Sequence, residues 1–191
     1  MKEKAGLERW QIEYNKLKNY AITNNLRNLI TALTLAVKYH KGQYRDGGEP
    51  YIIHPLMVCK TLLLLNVDKY LKKWYSQKSE SWIKHQCDVL FAAAVLHDVI
   101  EDCNLPNKGR EMVEVYHLDE EVWIIVAILS KPPKGQPYDS KEYFKGILKN
   151  WKATLIKLSD RANNCTTMQV FEESRRIKYI RETSEYIYPL C

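Results

Sequence analysis

The chain has 191 residues, enough for one domain with a substantial core, and 46% of them are hydrophobic and 27% charged. Seven glycines and seven prolines exclude a low-complexity chain, and no apolar run approaches the roughly 18 residues that a membrane span needs. The net charge of +6 suits an anionic ligand, but no basic stripe with interleaved aromatic residues is present, so we expect no nucleic-acid partner.

The five cysteines argue against a disulfide-stapled or zinc-knuckle domain. Their number is odd and no two are spaced as C-x-x-C, so reduced and mostly buried thiols are expected. The N-terminus is charged and lacks the apolar core of a signal peptide. We therefore expect a cytoplasmic protein without a membrane partner.

Helical periodicity runs through most of the chain. Thr23 and Asn24 are predicted to cap a helix near the N-terminus. Its apolar positions are Leu26, Leu29, Ile30, Leu33 and Val37. A second apolar pattern with the same period covers residues 81–101 and predicts a largely buried helix.

The second half of the chain continues this pattern. Asp119 and Ser140 are each predicted to cap a helix, and longer helical patterns cover residues 151–168 and 172–186. Turn residues cluster at 46–50, 105–107 and 131–135. Few stretches alternate as strands do. The expected fold class is therefore all-α, a compact bundle of about seven to nine helices.

The segment LHDVIED, residues 96–102, is the most informative in the chain. It ends a buried helix, where ionisable residues are costly unless they are paired or bind metal. At about 100° per residue, four side chains fall within about 140° of one face. They are His97, Asp98, Glu101 and Asp102. The alternative is a solvated acidic cluster at a helix C-terminus, although acidic side chains there oppose the helix dipole.

Two other segments carry candidate ligands. In HKGQYRDGGEPYIIHP, residues 40–55, His54 precedes a proline that starts a helix. That position suits a ligand, although a single histidine there is more often structural. In LIKLSDRANN, residues 155–164, Asp160 and Asn164 lie one turn apart on one helix face. Seen alone, this pattern is more often an ordinary polar stripe.

Together the three segments supply two imidazoles and two carboxylates. These are His54, His97, Asp98 and Asp160. The mixed nitrogen and oxygen set suits a divalent ion such as manganese, with iron or zinc as alternatives. It leaves coordination positions for water and a phosphate oxygen, as hydrolysis requires.

In order and spacing, the three segments resemble the motifs of the RelA/SpoT-type alarmone hydrolases, which are HD-domain enzymes. That family's pattern reads approximately H-x-G-Q-x-R-x-x-G-E-P-Y-I-x-H-P, then L-H-D-x-x-E-D, then K-L-x-D-R-x-x-N. The segment RETSEYIYPL, residues 181–190, also resembles the end of the family's hydrolase domain. The resemblance covers about residues 30–190. It predicts one all-α HD hydrolase domain over residues 1–191, with residues 1–22 as an N-terminal helical extension.

The resemblance implies a role for each matching residue. The metal, usually manganese, would be bound by His54, His97, Asp98 and Asp160, and Glu101 and Asp102 would activate water. The nucleotide site would be lined by Arg45, Tyr51, Asn164 and Thr167. The implied reaction is hydrolysis of the 3′-pyrophosphate of ppGpp or pppGpp, giving GDP or GTP and pyrophosphate. Because the chain stops at Cys191, without the synthetase domain found in long members of the family, a small stand-alone hydrolase is expected.

The chain departs from the family pattern at three places. Asp46 stands where the family commonly has a basic residue, and an acid there would repel a polyanion unless the loop is rearranged. The family's H-N-M-R reads NNCT at residues 163–166, and Lys69–Ser81 resembles an insertion. These differences affect the expected substrate more than the expected hydrolysis.

Two other functions remain open from the sequence. One is an HD phosphohydrolase of another nucleotide, such as an adenosine alarmone or NADPH, which Asp46 and Thr166 favour. The other is a non-catalytic alarmone-binding regulator. That function predicts decay of the water-activating pair, whereas Glu101 and Asp102 are both present.

Overall fold

The computed structural model describes residues 2–103, 105, 109–132 and 136–188, with side chains described from residue 9 onward. The α-helices are α1 Lys2–Thr23, α2 Arg27–Tyr39, α3 Ile53–Leu64, α4 Val67–Trp74, α5 Glu80–Leu96, α6 Val99–Asp102, α7 Glu111–Glu114, α8 Glu120–Leu129, α9 Ser140–Leu148, α10 Trp151–Thr167 and α11 Glu173–Glu182. A 3₁₀ turn, Met168–Val170, follows α10, and a π-helical turn, Thr183–Ile187, follows α11.

The all-α prediction is confirmed. Across the described ranges, extended pairing is limited to one isolated bridge between Tyr44 and Pro50. The α-helices in those ranges outnumber the predicted seven to nine, because α6 and α7 are single turns of four residues each. Such short turns bury too few apolar side chains to leave a periodic pattern in the sequence.

Helix α5 forms the centre of the core. Its residues 87–96 are all buried, and it packs against α2, α3 and α8. Three consecutive alanines, residues 92–94, have no exposed surface, and their small side chains allow the neighbouring helices to approach closely. A helix that is apolar on every side belongs in the interior. The central helix therefore carries the next residue, His97, into the interior as well.

The N-terminus of α2 is capped by a side chain from the central helix. Leu26, at the N-cap position, makes no side-chain hydrogen bond to the helix. Instead, Asp88 of α5 accepts hydrogen bonds from the backbone N–H groups of Asn28 and Leu29, at 3.0 and 2.9 Å. A carboxylate sixty residues away in sequence thus satisfies donors that the local sequence leaves free.

Replacing Asp88 with alanine should lower the free energy of unfolding by about 1–3 kcal/mol, because the buried N–H of Leu29 would lose its acceptor. Urea unfolding followed by circular dichroism would measure the change. Asp68→Ala is a matched control, since the Asp68 carboxylate has no hydrogen-bond partner among the described residues. It should change the free energy of unfolding by about 0.5 kcal/mol or less. Equal stability of Asp88→Ala and the wild type would show that water caps α2.

Two predicted helix caps were wrong and one is confirmed. Thr23 is the last residue of α1, so neither it nor Asn24 reaches α2. Asp139, rather than Ser140, caps α9, and its carboxylate accepts hydrogen bonds from two backbone N–H groups of the first turn at 2.8 and 3.3 Å. Asp119 caps α8 as predicted.

The helix predicted for residues 81–101 is interrupted. Helix α5 ends at Leu96 and α6 begins at Val99, so His97 and Asp98 lie at the junction. The other two long patterns are confirmed, since residues 151–168 correspond to α10 and residues 172–186 to α11 with its π-helical turn.

Parts of some predicted features lie outside the described residues. These parts are Pro106 and Asn107, Pro133–Gly135, and Pro189–Cys191. The four described cysteines are free, and Cys59 and Cys87 are buried as expected. In the part of the chain that the structure describes, no helix has both the length and the apolar character of a membrane span.

Candidate active site

Three helices bring the predicted metal ligands together. His54 lies in the first turn of α3, His97 and Asp98 at the α5–α6 junction, and Asp160 in the middle of α10. His54 Nε2 is 3.2 Å from Asp160 Oδ1 and 3.5 Å from Asp98 Oδ2. His97 Nε2 is 3.1 Å from Asp98 Oδ2. Ligand atoms of His54, His97 and Asp160 all lie within 4.8 Å of one another, a grouping that could hold a metal ion.

The two imidazoles are oriented by hydrogen bonds at their outer nitrogens. His97 Nδ1 lies 2.8 Å from the backbone oxygen of Ala94, to which it donates. His54 Nδ1 lies 2.7 Å from Asn163 Oδ1. With both Nδ1 atoms occupied, both Nε2 atoms face the centre of the cluster, the arrangement in which histidine usually binds metal.

The residues present fit a divalent cation. His97 Nε2 is buried and makes no hydrogen bond to any described residue, although it lies close to Asp98. A buried nitrogen without a partner is costly, and a cation at the centre of the cluster would satisfy it. Two imidazoles beside carboxylate oxygens form a donor set that suits a transition metal or zinc.

The charges in the cluster are strongly coupled. Burial opposes protonation of His54, but hydrogen bonds to Asp160 and Asp98 outweigh it and raise the pKa of His54 to about 9. Burial opposes ionisation of both aspartates, yet the neighbouring cationic groups hold the pKa of each well below its usual range. Both carboxylates are therefore ionised at neutral pH and ready to bind a cation.

Lys157 is part of this cluster, although we did not predict it from the sequence. Its Nζ lies 3.0 Å from Asp160 Oδ2 in a largely buried pair. Burial opposes its charge, but Asp160 and Tyr143 outweigh that effect and raise the pKa of Lys157 well above its usual range. Because Lys157 holds Oδ2, Asp160 presents Oδ1 to His54. The spacing of the two residues, one helical turn apart on α10, is the only sequence signal for this contact.

A pocket of about 480 Å³ opens beside the cluster. The predicted site residues that line it are Arg45, Tyr51, His54, Asp98, Glu101, Asp102, Asp160 and Asn164. His97 lies behind the pocket wall and is buried. Thr167 also lies outside the lining, but its hydroxyl accepts a hydrogen bond of 3.3 Å from Arg45. The structure thus brings all ten predicted site residues to one region of the molecule.

The predicted catalytic carboxylates lie on α6, at the edge of the pocket. Glu101 Oε2 accepts a hydrogen bond of 3.2 Å from the backbone N–H of Lys131. Both side chains are open to the pocket, yet the surrounding protein displaces enough water to raise the pKa of Glu101 and of Asp102, and the charge of Asp98 adds to the effect. A raised pKa brings a carboxylate closer to the range in which it exchanges protons near neutral pH.

Predicted nucleotide-site residues contact the candidate ligands directly. Arg45 Nη2 donates to Asn164 Oδ1 at 2.7 Å, and Asn164 Nδ2 donates to Asp160 Oδ1 at 2.6 Å. The hydroxyl of Tyr51 donates to Asp98 Oδ2 at 2.7 Å. Tyr51 and Asn164 are therefore one hydrogen bond from a ligand carboxylate, and Arg45 is two.

Helix α11 forms a wall of the pocket that we did not predict from the sequence. It contributes Arg175, Lys178, Tyr179 and Glu182. Arg175 Nη1 is hydrogen-bonded to Asp46 Oδ2, so the unusual acid of the loop has a cationic partner. We predicted that this acid would repel a polyanion unless the loop is rearranged. In the structure, its charge is paired with that of Arg175. The one signal in the sequence is the helical spacing of these polar residues on α11.

Comparisons with known proteins agree with this description. No family model matches the chain. A protein of Aquifex aeolicus named guanosine-3′,5′-bis(diphosphate) 3′-pyrophosphohydrolase is 33% identical over 163 residues, 84% of this chain and 20% of that protein. A Vibrio cholerae protein of the same name is 29% identical over 182 residues, 91% of this chain and 23% of that protein. The chain thus spans about a fifth of the length of these relatives.

A solved structure supports the same fold. It belongs to a metazoan ortholog of SpoT that hydrolyses ppGpp, and it matches with a TM-score of 0.60 and 20% sequence identity over 85% of each chain. At that identity the likeness establishes the fold alone. The sequence relatives, which match over most of this chain, confirm its resemblance to the RelA/SpoT-type alarmone hydrolases.

Proposed function

We propose that this chain is a metal-dependent phosphohydrolase that removes the 3′-pyrophosphate of ppGpp and pppGpp, giving GDP or GTP and pyrophosphate. The observation that carries the proposal is the meeting of His54, His97 and Asp160 within 4.8 Å beside a pocket that also contains Glu101 and Asp102. The names of the sequence relatives support the guanosine alarmones as substrates.

The proposed cation is manganese, held by His54, His97, Asp98 and Asp160. When bound, a divalent cation of this kind polarises a phosphate oxygen and lowers the pKa of water. Lys157 and Asn163 would orient the ligand side chains, since each makes a hydrogen bond to one of them. Such supporting contacts commonly change metal affinity or activity by about 10–100-fold when removed.

The protein's own groups would bind the substrate and transfer the proton. Glu101 and Asp102 would accept the proton of the attacking water, since both open to the pocket and both have a raised pKa. Arg45 and Lys178 would neutralise charge on the phosphates, because both line the same pocket. Tyr51, bonded to Asp98, would limit how far that carboxylate can rotate.

Purified protein incubated with manganese and a panel of nucleotides tests the proposal. The panel should contain ppGpp, pppGpp, the adenosine alarmone and NADPH, with products separated by anion-exchange chromatography. We expect GDP or GTP and pyrophosphate from the guanosine compounds. Faster turnover of the adenosine alarmone or NADPH would reassign the substrate. Binding of ppGpp without turnover of any compound in the panel would instead favour a non-catalytic regulator.

Replacing Asp46 with lysine should lower the Michaelis constant for ppGpp by about tenfold, which corresponds to ~1.4 kcal/mol of binding free energy. The change removes the carboxylate that holds Arg175 and adds a further positive charge at the pocket. Steady-state kinetics over a range of ppGpp concentrations would measure it. Asp46→Asn separates the two effects, since it releases Arg175 without adding charge. A higher Michaelis constant in both variants would show that the carboxylate itself contacts the substrate.

A further inference from the structure

His40 is a buried histidine that the proposed chemistry does not use. It follows the last residue of α2 and is 2% exposed. Its Nδ1 lies 2.7 Å from Gln43 Oε1, while its Nε2 is buried and makes no hydrogen bond to any described residue. A buried polar side chain with one unsatisfied nitrogen is costly. His40 Nδ1 also lies 3.8 Å from Cys103 Sγ, so its shortest hydrogen bond among the described residues is the one with Gln43.

Gln43 connects this histidine to the helix that carries the catalytic pair. The Nε2 of Gln43 donates to the backbone oxygen of Asp102 at 3.3 Å and lies 3.6 Å from the Sγ of Cys103. Because the amide nitrogen of Gln43 faces these acceptors, its oxygen must face His40, and His40 Nδ1 is the donor of that bond. The direction of each hydrogen bond is therefore set.

The backbone around Gln43 is also held in place. Its N–H donates to the carbonyl of His40 at 3.1 Å, and its own carbonyl accepts from the N–H of Tyr51 at 2.8 Å. A side chain that extends from such a fixed backbone can hold its hydrogen-bond partner at a constant distance. Helix α6, in contrast, is a single turn of four residues, too short to hold its own position.

His40 also contacts Tyr51, which binds a candidate metal ligand. Its ring stacks on Tyr51, with centroids 4.8 Å apart and planes 28° from parallel. The hydroxyl of Tyr51 is the group that binds Asp98 at 2.7 Å. One buried histidine therefore contacts both the residue that orients a candidate metal ligand and the residue that reaches α6.

We infer that His40 and Gln43 form a positioning bridge, which holds Asp102 on α6 at its working distance from the metal cluster. Gln43 acts through the backbone of Asp102, and His40 fixes the orientation of the Gln43 amide while supporting Tyr51. The expected loss of turnover rests on the proposed function. The expected effect on the position of α6 rests on the hydrogen bonds alone.

Gln43→Leu, which keeps most of the side-chain volume and removes both amide groups, tests the bridge. We expect turnover of ppGpp to fall by about 10–100-fold, the effect of misplacing a catalytic group by around 1 Å. Metal content should be unchanged. In a background that lacks both catalytic carboxylates, Glu101→Gln with Asp102→Asn, the same substitution should change turnover by less than twofold, because the groups on α6 that it positions are already inactive. An equal loss in both backgrounds would mean a general structural effect and would overturn the inference.

A second variant and a second measurement keep the test independent of folding and of turnover. Gln43→Glu retains an acceptor for His40 but cannot donate to Asp102, so it should behave as Gln43→Leu does. Hydrogen–deuterium exchange of residues 99–103 should accelerate in both variants, while Gln11→Leu, on the exposed side of α1, should match the wild type. Unchanged exchange in α6 would refute the bridge. Absence of nucleotide hydrolysis by the wild type would refute the proposed function and leave the exchange result to judge the bridge.

Discussion

Replacing His97 with alanine should abolish stable binding of the divalent cation and lower ppGpp hydrolysis by more than about 100-fold, beyond the 10–100-fold typical of supporting residues. The reason is the geometry of its ring. Its outer nitrogen donates to Ala94, and its inner nitrogen is buried without a hydrogen bond to the described residues. Elemental analysis after dialysis and a product assay would measure both effects.

His85→Ala is the matched control for that experiment. His85 lies on the exposed part of α5, the helix that precedes His97, and belongs to a surface group with Asp119 and Glu121 that could also hold an ion. We expect His85→Ala to retain turnover and its tightly bound ion. Full metal content and activity in His97→Ala would show that the cluster of His54, His97 and Asp160 is not the metal site.

Replacing Glu101 with glutamine should lower turnover by about 10²–10⁴-fold, the range for loss of general acid–base catalysis, while metal and nucleotide still bind. Glutamine keeps the shape of the side chain and can still accept the hydrogen bond from the backbone of Lys131 through its oxygen. What it lacks is a group that takes up a proton. Elemental analysis, calorimetry with the nucleotide and a rate assay separate the three properties.

The companion variant Asp102→Asn tests which of the two carboxylates accepts the proton. A large loss in only one variant would identify that residue as the proton acceptor. Metal loss in Glu101→Gln would make Glu101 a ligand instead. Unchanged rates in both variants would refute water activation by this pair and would mean that the two carboxylates have no catalytic role. Glu114→Gln, at an exposed position on α7, controls for the substitution itself.

Periodic apolar patterns predicted the helices well where the helix is long and its cap is local. Helix α10 begins at Trp151 as expected, and Asp119 caps α8. The patterns failed where a distant residue determines the local structure. Asp88 caps α2 from another helix, so the nearby Thr23 and Asn24 offered a cap that the chain does not use.

The candidate site was also predicted only in part. Motif spacing placed His54, His97 and Asp160 in one site, and the structure brings them together, although their roles remain predictions. The contacts of Lys157 with Asp160 and of Arg175 with Asp46 depend on how α10 and α11 dock against the rest of the fold. A single sequence does not show how two helices are rotated and shifted against each other when they pack. It therefore could not predict which lysine or arginine faces the pocket.

The candidate ligands come from three helices that are far apart in the chain, and this makes cation binding a measure of tertiary folding. A cation held by α3, by the α5–α6 junction and by α10 can bind only after all three have docked. At a free concentration 100 times its dissociation constant, such a ligand stabilises the folded state by about 2.7 kcal/mol. The unfolding temperature should therefore rise with the concentration of the ion, and a chelator should lower it. A peptide that contains only one of the three helices should not bind the ion with comparable affinity.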